Sequence, residues 1–190
     1  MRLLRTLRVK GGFGVFDDSD DPINKGLLRR CLLWRRESGK PSLRKIDFGE
    51  DREMVPSWSW MAVSGGIDYF HPRFDRFDWP EVESPWSLPT QVGRDNSIKA
   101  HVLDFQLDEA TSQEHEVIFD DSERSKQDKT KVIILGIERT RKDKAEKRHY
   151  VLLVDMKGTF TDGYECCERV GAGYLPGKML TGTAKSCALI

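Results

Sequence analysis

Apolar residues fall in short stretches along this chain, and the stretches sharpen in its second half. From Ser97 to Leu107 they alternate through Ile98, Ala100 and Val102, then change parity to Leu103, Phe105 and Leu107. Alternation predicts a half-buried strand, and the change of parity predicts a bulge that turns its face. His115–Phe119 predicts a short strand. Val132–Ile137 and His149–Met156 are apolar strands joined by the charged connection 139–148. Cys166–Tyr174 predicts another strand, interrupted by Gly171 and Gly173, and Ser186–Ile190 reads as a last apolar one. The glycines at 11–14 and 171–173 read as turns or bulges.

The first half is less regular. Gly11–Phe16 suits a short strand, followed by an acidic turn over Asp17–Pro22. Leu27–Arg36 fits either a helical face or a buried strand carrying Leu32 and Trp34. Val55–Val63 alternates Ser and Trp after a proline, turns at Gly65-Gly66 and resumes at Ile67–Phe70, which predicts a β-hairpin with Trp58 and Trp60 on one face. Residues 71–97 hold four of the eight prolines together with Trp79 and Trp86, and read as a long aromatic loop spanning about 70–97. Short strands, long polar connections and almost no convincing helix predict a mainly β fold, an antiparallel β-sandwich or a barrel-like arrangement. The expected organisation is an N-terminal extension over 1–11 and a single β-rich domain over 12–190.

Composition narrows this picture. The chain has 190 residues, 38% hydrophobic and 33% charged, enough for one domain and unlike a disordered protein. No apolar run reaches the length of a transmembrane helix. The net charge of zero is a cancellation: residues 1–46 carry 12 basic against 5 acidic side chains, 47–128 carry 7 against 19, and 129–190 carry 12 against 7. Blocks of alternating sign in a compact chain read as segments that attract one another, and a neutral total argues against nucleic acid as a partner.

The four cysteines (31, 166, 167 and 187) form no CxxC, and the histidines at 71, 101, 115 and 149 have no ligand spacing, so no metal and no cofactor is expected. The thiols read as reduced and the protein as cytoplasmic. Residues 1–10, with Arg2, Arg5 and Arg8 among leucines, share features with a mitochondrial presequence, and Cys187-Ala-Leu-Ile190 has the form of a prenylation box. An edge segment and a terminal strand account for the two equally well.

Candidate chemistry is sparse. There is no GxSxG elbow, no GxGxxG and no P-loop. The carboxylates Asp75, Asp78, Glu81 and Glu83 sit in the aromatic loop, where a glycosidase pair is conceivable but spacing alone is silent on their separation. Two indoles on one strand face either anchor a core or form a stacking platform, and core is the stronger reading for Trp58 and Trp60, with Trp34 beside them. The loop rings are too many to stand in solvent unless they pack or bind. Phe74, Asp75, Phe77, Asp78, Trp79, Glu81 and Trp86 are therefore the expected ligand or partner surface.

Leu32-Leu-Trp-Arg35, then Val55-Pro-Ser-Trp-Ser-Trp-Met-Ala62, then Gly66-Ile-Asp-Tyr69, and finally Glu168-Arg-Val-Gly171 follow one another in an order of their own. This succession resembles the C-terminal region of fungal heterokaryon incompatibility (HET) domain proteins, from about residue 12 onward. The HET domain itself lies upstream in those proteins, and nothing here matches its opening motif. The resemblance implies a non-enzymatic β-rich recognition or scaffold module acting through protein partners, in the setting of self/non-self recognition and cell death, with a HET domain missing from its N-terminal side. No catalytic residue carries over. The alternative reading is a carbohydrate- or small-ligand-binding sandwich that uses the aromatic loop.

Overall fold

The computed structural model describes residues 10–18, 26–49, 55–86, 96–107, 113–125, 129–159 and 165–190. The presequence-like stretch 1–9 and the last part of the aromatic loop, 87–95, lie outside these. In chain order the strands are β1 (Lys10–Gly12), β2 (Val15–Asp17), β3 (Trp34–Arg36), β4 (Arg44–Lys45), β5 (Val63–Ser64), β6 (Ile67–Tyr69), β7 (Phe77–Asp78), β8 (Ile98–Phe105), β9 (Glu116–Phe119), β10 (Thr130–Glu138), β11 (Arg148–Thr159), β12 (Glu165–Pro176) and β13 (Leu180–Leu189). A short helix, α1 (Leu27–Cys31), precedes β3. The ambiguous stretch 27–36 thus resolves into both of its readings, a helical turn and then a strand. Among the described residues no helix is long and apolar enough to cross a membrane.

Seven strands share one sheet, in the order β11-β10-β8-β13-β12-β9 with β7 attached to β10. An additional β11–β12 pairing joins β12 back to the first strand, so the hydrogen-bonded path through β11, β10, β8, β13 and β12 returns to its start. The sheet is mixed, which corrects the antiparallel expectation. β12 and β13 run parallel, with Glu165, Cys166 and Cys167 opposite Cys187, Ala188 and Leu189. The 3-10 turn Gly177–Met179 joins the two strands in sequence, and the parallel pairing is made between the start of β12 and the end of β13.

β10, β11 and much of β12 are buried on both faces, which explains their continuous apolar runs. Along β11, Tyr150, Leu152 and Val154 enter one core cluster, and Val151 and Leu153 enter the other. β8 divides in the same way. Ile98, Ala100 and Val102 join the first cluster and Phe105 the second, with Leu103 and Leu107 packed against it. The change of parity in the sequence is thus the point where β8 passes from one core to the other.

Gly171 and Gly173 lie within β12, where the register against β11 shifts beside Gly171, the bulge of the two readings and not the turn. A Cβ on Gly171 would collide with the carbonyl of Ile118, and one on Gly173 with that of Glu116, so their bare backbone lets β9 lie against β12. The N-terminal glycines do form a turn. Phe13 and Gly14 take φ of 53° and 72°, the paired left-handed conformation that closes a two-residue hairpin between β1 and β2.

The hairpin predicted over 55–70 does not form. Pro56–Ser59 is a turn, with the Ser59 amide donating to the Pro56 carbonyl at 3.0 Å. The Ser59 hydroxyl then accepts from the Met61 amide at 3.0 Å and caps a 3-10 turn over Trp60–Ala62. A serine that can bond the backbone two residues on competes with a ladder, and here it wins. β5 pairs with β4 and β6 with β3, instead of with each other.

Candidate functional site

The tryptophans expected in the core part company at this turn. Trp34 and Trp58 are fully buried, but Trp60 is 38% exposed, which corrects its assignment to the core. The cause is the capped turn. On a strand, positions i and i+2 share a face, whereas a turn followed by a 3-10 helix sends them apart. Trp58 is held edge-on between Phe13 and Trp86, at centroid distances of 5.9 and 6.1 Å, and its indole N–H donates to the Asn96 carbonyl at 3.0 Å. Trp60 instead lies over the hairpin turn and donates to the Gly14 carbonyl at 3.2 Å.

The described part of the aromatic loop, residues 71–86, packs against the rest of the protein. Phe77 is 6% exposed and packs against Tyr150 at 5.2 Å between ring centroids, so it belongs to the core and not to a contact surface. Trp79 covers Gly136 and tilts against Phe77, and Trp86 covers Gly12. Phe74 opens a 3-10 turn over Phe74–Arg76. The carboxylates are dispersed. Asp75 is 3.5 Å from Arg73, Asp78 accepts from Arg139 Nε at 2.6 Å, and exposed Glu81 lies in the field of buried Arg29. Arg29 Nε in turn donates to the Pro80 carbonyl at 2.7 Å and ties the loop to α1. Phe77, Trp79 and Trp86 therefore pack along the described part of the loop, and among the described residues no parallel pair of exposed rings stands beside a carboxylate.

A different set of residues converges. The guanidinium of Arg169 on β12 is fully buried and stacks on the Trp34 ring, its central carbon 3.1 Å from the ring centroid. One of its nitrogens donates to the Trp34 carbonyl at 2.6 Å and another pairs with Asp120. The Arg169 amide donates to the Ser57 hydroxyl at 3.1 Å. Ser57 in turn holds the Ile190 carbonyl, through its amide at 3.0 Å and through its hydroxyl. The Trp34 indole N–H donates to the Trp58 carbonyl at 2.9 Å. Burial pulls the Arg169 pKa down and the Asp120 carboxylate opposes that pull. A buried guanidinium needs a counter-charge and bonded nitrogens to be tolerated, and the stacked ring and carboxylate meet most of that need.

This cluster forms one wall of a cavity of about 970 Å³. Leu43, Ile46, Phe48, Pro56, Val63 and Val170 give it apolar walls. Most of its charged lining is engaged, and Asp47 accepts from the Gly49 amide at 2.9 Å. Lys45 is 3.2 Å from Glu168, Arg124 is 2.5 Å from Asp155, and Asp121 accepts from Ser42 at 2.8 Å. Burial pushes the Glu168 carboxyl up, but its bonds to Lys157 and Lys45 and their charges outweigh this and hold it below its ordinary value. Asp121 is lowered chiefly by the bond from the Glu123 amide. Among the described residues, no histidine or cysteine lines the cavity and no group of His, Cys, Asp or Glu is arranged to hold a metal. The arrangement offers binding by shape and hydrogen bonds.

In the sequence Ser57, Val63 and Arg169 fall within longer motifs, whereas Asp120, Arg124, Ile46 and Phe48 belong to none. Ile46 and Phe48, apolar in a charged stretch, were the available signal. Compared with known proteins, the chain matches no family model, no curated protein and no solved structure.

Proposed function

We propose that this chain is a non-enzymatic recognition module of the kind that follows the HET domain in fungal incompatibility proteins, and that it works by contact with a second protein. The carrying observation is that the residues of the resemblance meet in one cluster. Trp34 and Arg169 lie 135 positions apart and are stacked and bonded, β3 pairs with the Ile67–Tyr69 strand, and Ser57 and Trp58 bond to the same pair. Residues that hold a core together serve the fold, which leaves the contact surface to other positions.

That surface is the exposed apolar group Phe16, Ile46, Trp60 and Met61, which are 52%, 39%, 38% and 42% exposed. They sit on neighbouring segments. Trp60 lies over Gly14 of the first hairpin, and the Ile46 amide donates to the Ala62 carbonyl at 3.0 Å. Large apolar side chains left in solvent together are a usual mark of protein contact.

The test is size-exclusion chromatography of the chain mixed with a separately purified HET domain. Co-elution that is lost in Trp60→Ser/Met61→Ser, with the melting of that variant unchanged, is the expected result. Separate elution at micromolar concentrations of both would overturn the reading.

A further inference from the structure

We infer that the connection between β10 and β11, residues 139–147, together with Arg148 at the start of β11, is a docking loop for an acidic peptide segment of a partner protein. The inference stands apart from the apolar surface proposed above and from any pairing with a HET domain. Lys131 pairs with Asp104, Arg139 with Asp78, Arg169 with Asp120 and Lys178 with Glu114, so cations of 129–190 are answered by carboxylates of 47–128. Lys142, Lys144, Lys147 and Arg148 are the exception. They have no carboxylate partner among the described residues, although they fall within seven positions.

The loop that carries these cations is held in place. The Lys178 amide donates to the Ala145 carbonyl at 2.7 Å, the Gly177 amide to the Lys147 carbonyl at 3.0 Å, and the Arg139 amide to the Arg76 carbonyl at 2.8 Å. Asp143 is used inside the loop, where it accepts from the Ala145 amide at 2.9 Å. Arg148 lies over the Tyr174 ring, its central carbon 4.2 Å from the centroid, and also donates to the Tyr150 hydroxyl. A guanidinium plane fixed by a ring loses little freedom on taking a carboxylate. Like charges gathered on one short loop repel one another, and carboxylates brought by a partner relieve that repulsion.

The order of the charges selects the partner. Residues 142–148 read Lys-Asp-Lys-Ala-Glu-Lys-Arg, with both acids set between cations. An acidic peptide can space its carboxylates to meet the cations and to miss Asp143 and Glu146. A nucleic acid carries a phosphate at every nucleotide and has no such freedom. The loop also lacks an aromatic side chain on which a base could stack, and Arg148 already covers one face of Tyr174. Ala145 is its one apolar residue, too little to enter a membrane surface.

The test is fluorescence anisotropy on the full chain with a fluorescein-labelled peptide of about twelve residues alternating Glu and Ser, at about 50 mM salt, where exposed charges are weakly screened. Saturable binding that weakens as salt is raised is expected, with the matching Gln–Ser peptide about ten-fold weaker. Lys142→Ser/Lys144→Ser/Lys147→Ser is expected to weaken the Glu–Ser peptide about ten-fold while melting as the parent does. Lys40→Ser/Arg44→Ser/Lys185→Ser removes the same charge from exposed positions elsewhere and is expected to bind within about two-fold of the parent. Should the loop variant fail to melt cooperatively, Lys144→Glu decides by the same loss. Absence of saturable binding, equal binding of the Gln–Ser peptide, equal loss in the two triple variants or undiminished binding in a folded loop variant would each overturn the inference. So would tighter binding of an oligothymidylate of equal charge, which would make the loop a nucleic-acid contact instead.

Discussion

Arg169 and Trp34 are joined twice, once through the face of the indole, with the guanidinium carbon 3.1 Å from the ring centroid, and once through the Trp34 carbonyl at 2.6 Å. The pair links β12 to β3, and Asp120 completes it through a second nitrogen of the guanidinium. Arg169→Ala removes the stacked plane and leaves the Asp120 carboxylate without its counter-charge. A loss of about 3–5 kcal/mol is expected, measured by urea unfolding. Arg169→Lys is expected to lose most of the same amount, because an ammonium neither stacks nor bonds in two directions. A lysine variant as stable as the parent would show that only the charge matters.

Trp58 and Trp60 differ by two positions and by the whole depth of the core. Trp58→Phe leaves a void between Phe13 and Trp86 and an unpaired Asn96 carbonyl, and is expected to cost about 2–3 kcal/mol. Trp60→Phe gives up a single bond at the surface, about 1 kcal/mol or less. Acrylamide quenching provides the spectroscopic check. Loss of Trp60 should remove a readily quenched component, and loss of Trp58 a protected one.

That difference also marks how far the sequence could be read. The second half was legible because strand alternation and apolar runs there are decided by burial on the two faces of one sheet, as the parity change in β8 illustrates. The stretch 55–63 was misread because Ser–Trp alternation imitates a strand, whereas the Ser59 hydroxyl bonds the Met61 amide and sets a 3-10 turn. The loop rings were recognised as needing cover, but the direction was wrong. Phe77 and Trp79 find their cover on β10 and β11, through contacts that no local pattern announces. The cavity was illegible for the same reason. Val63, Asp120, Arg169 and Ile190 come from four distant segments and meet only after the sheet has formed.

His149 gives a pH dependence with a definite sign. Burial is the largest influence on it and lowers its pKa, against the opposing bonds to the backbone of Lys147 and Leu175. The folded state therefore binds the proton less readily than the unfolded chain, whose histidine titrates near about 6.5. The stability that neutral His149 contributes is present above that value and is lost as pH falls through the lower folded one. Urea midpoints of the parent are expected to drop between about pH 7 and pH 5, and His149→Gln is expected to flatten this part of the curve. An unchanged slope in the variant would assign the drop to other groups.

Gly173→Ala tests the close approach of β9. The added methyl would collide with the Glu116 carbonyl and reach 3.1 Å from the Val117 Cα, both backbone atoms that cannot rotate away. A loss of about 1–3 kcal/mol is expected. Amide exchange in Val117 and Phe119 should accelerate more than in β10. Equal acceleration throughout the sheet would mean that the strain is not local to β9.

The return of the strand path through β13 has a consequence for how the chain is made. β8, in the middle of the sequence, is flanked on one side by β10 and on the other by β13, which is translated more than seventy residues later by position. Until β13 is out of the ribosome, Val102 and Ala100 lack one neighbour, and the apolar runs of β10 and β11 can bury only part of their surface. Long-range pairing of this kind is slow to form. The nascent chain therefore passes through a stage in which its stickiest segments are synthesised but uncovered, the stage at which a holding chaperone has most to bind.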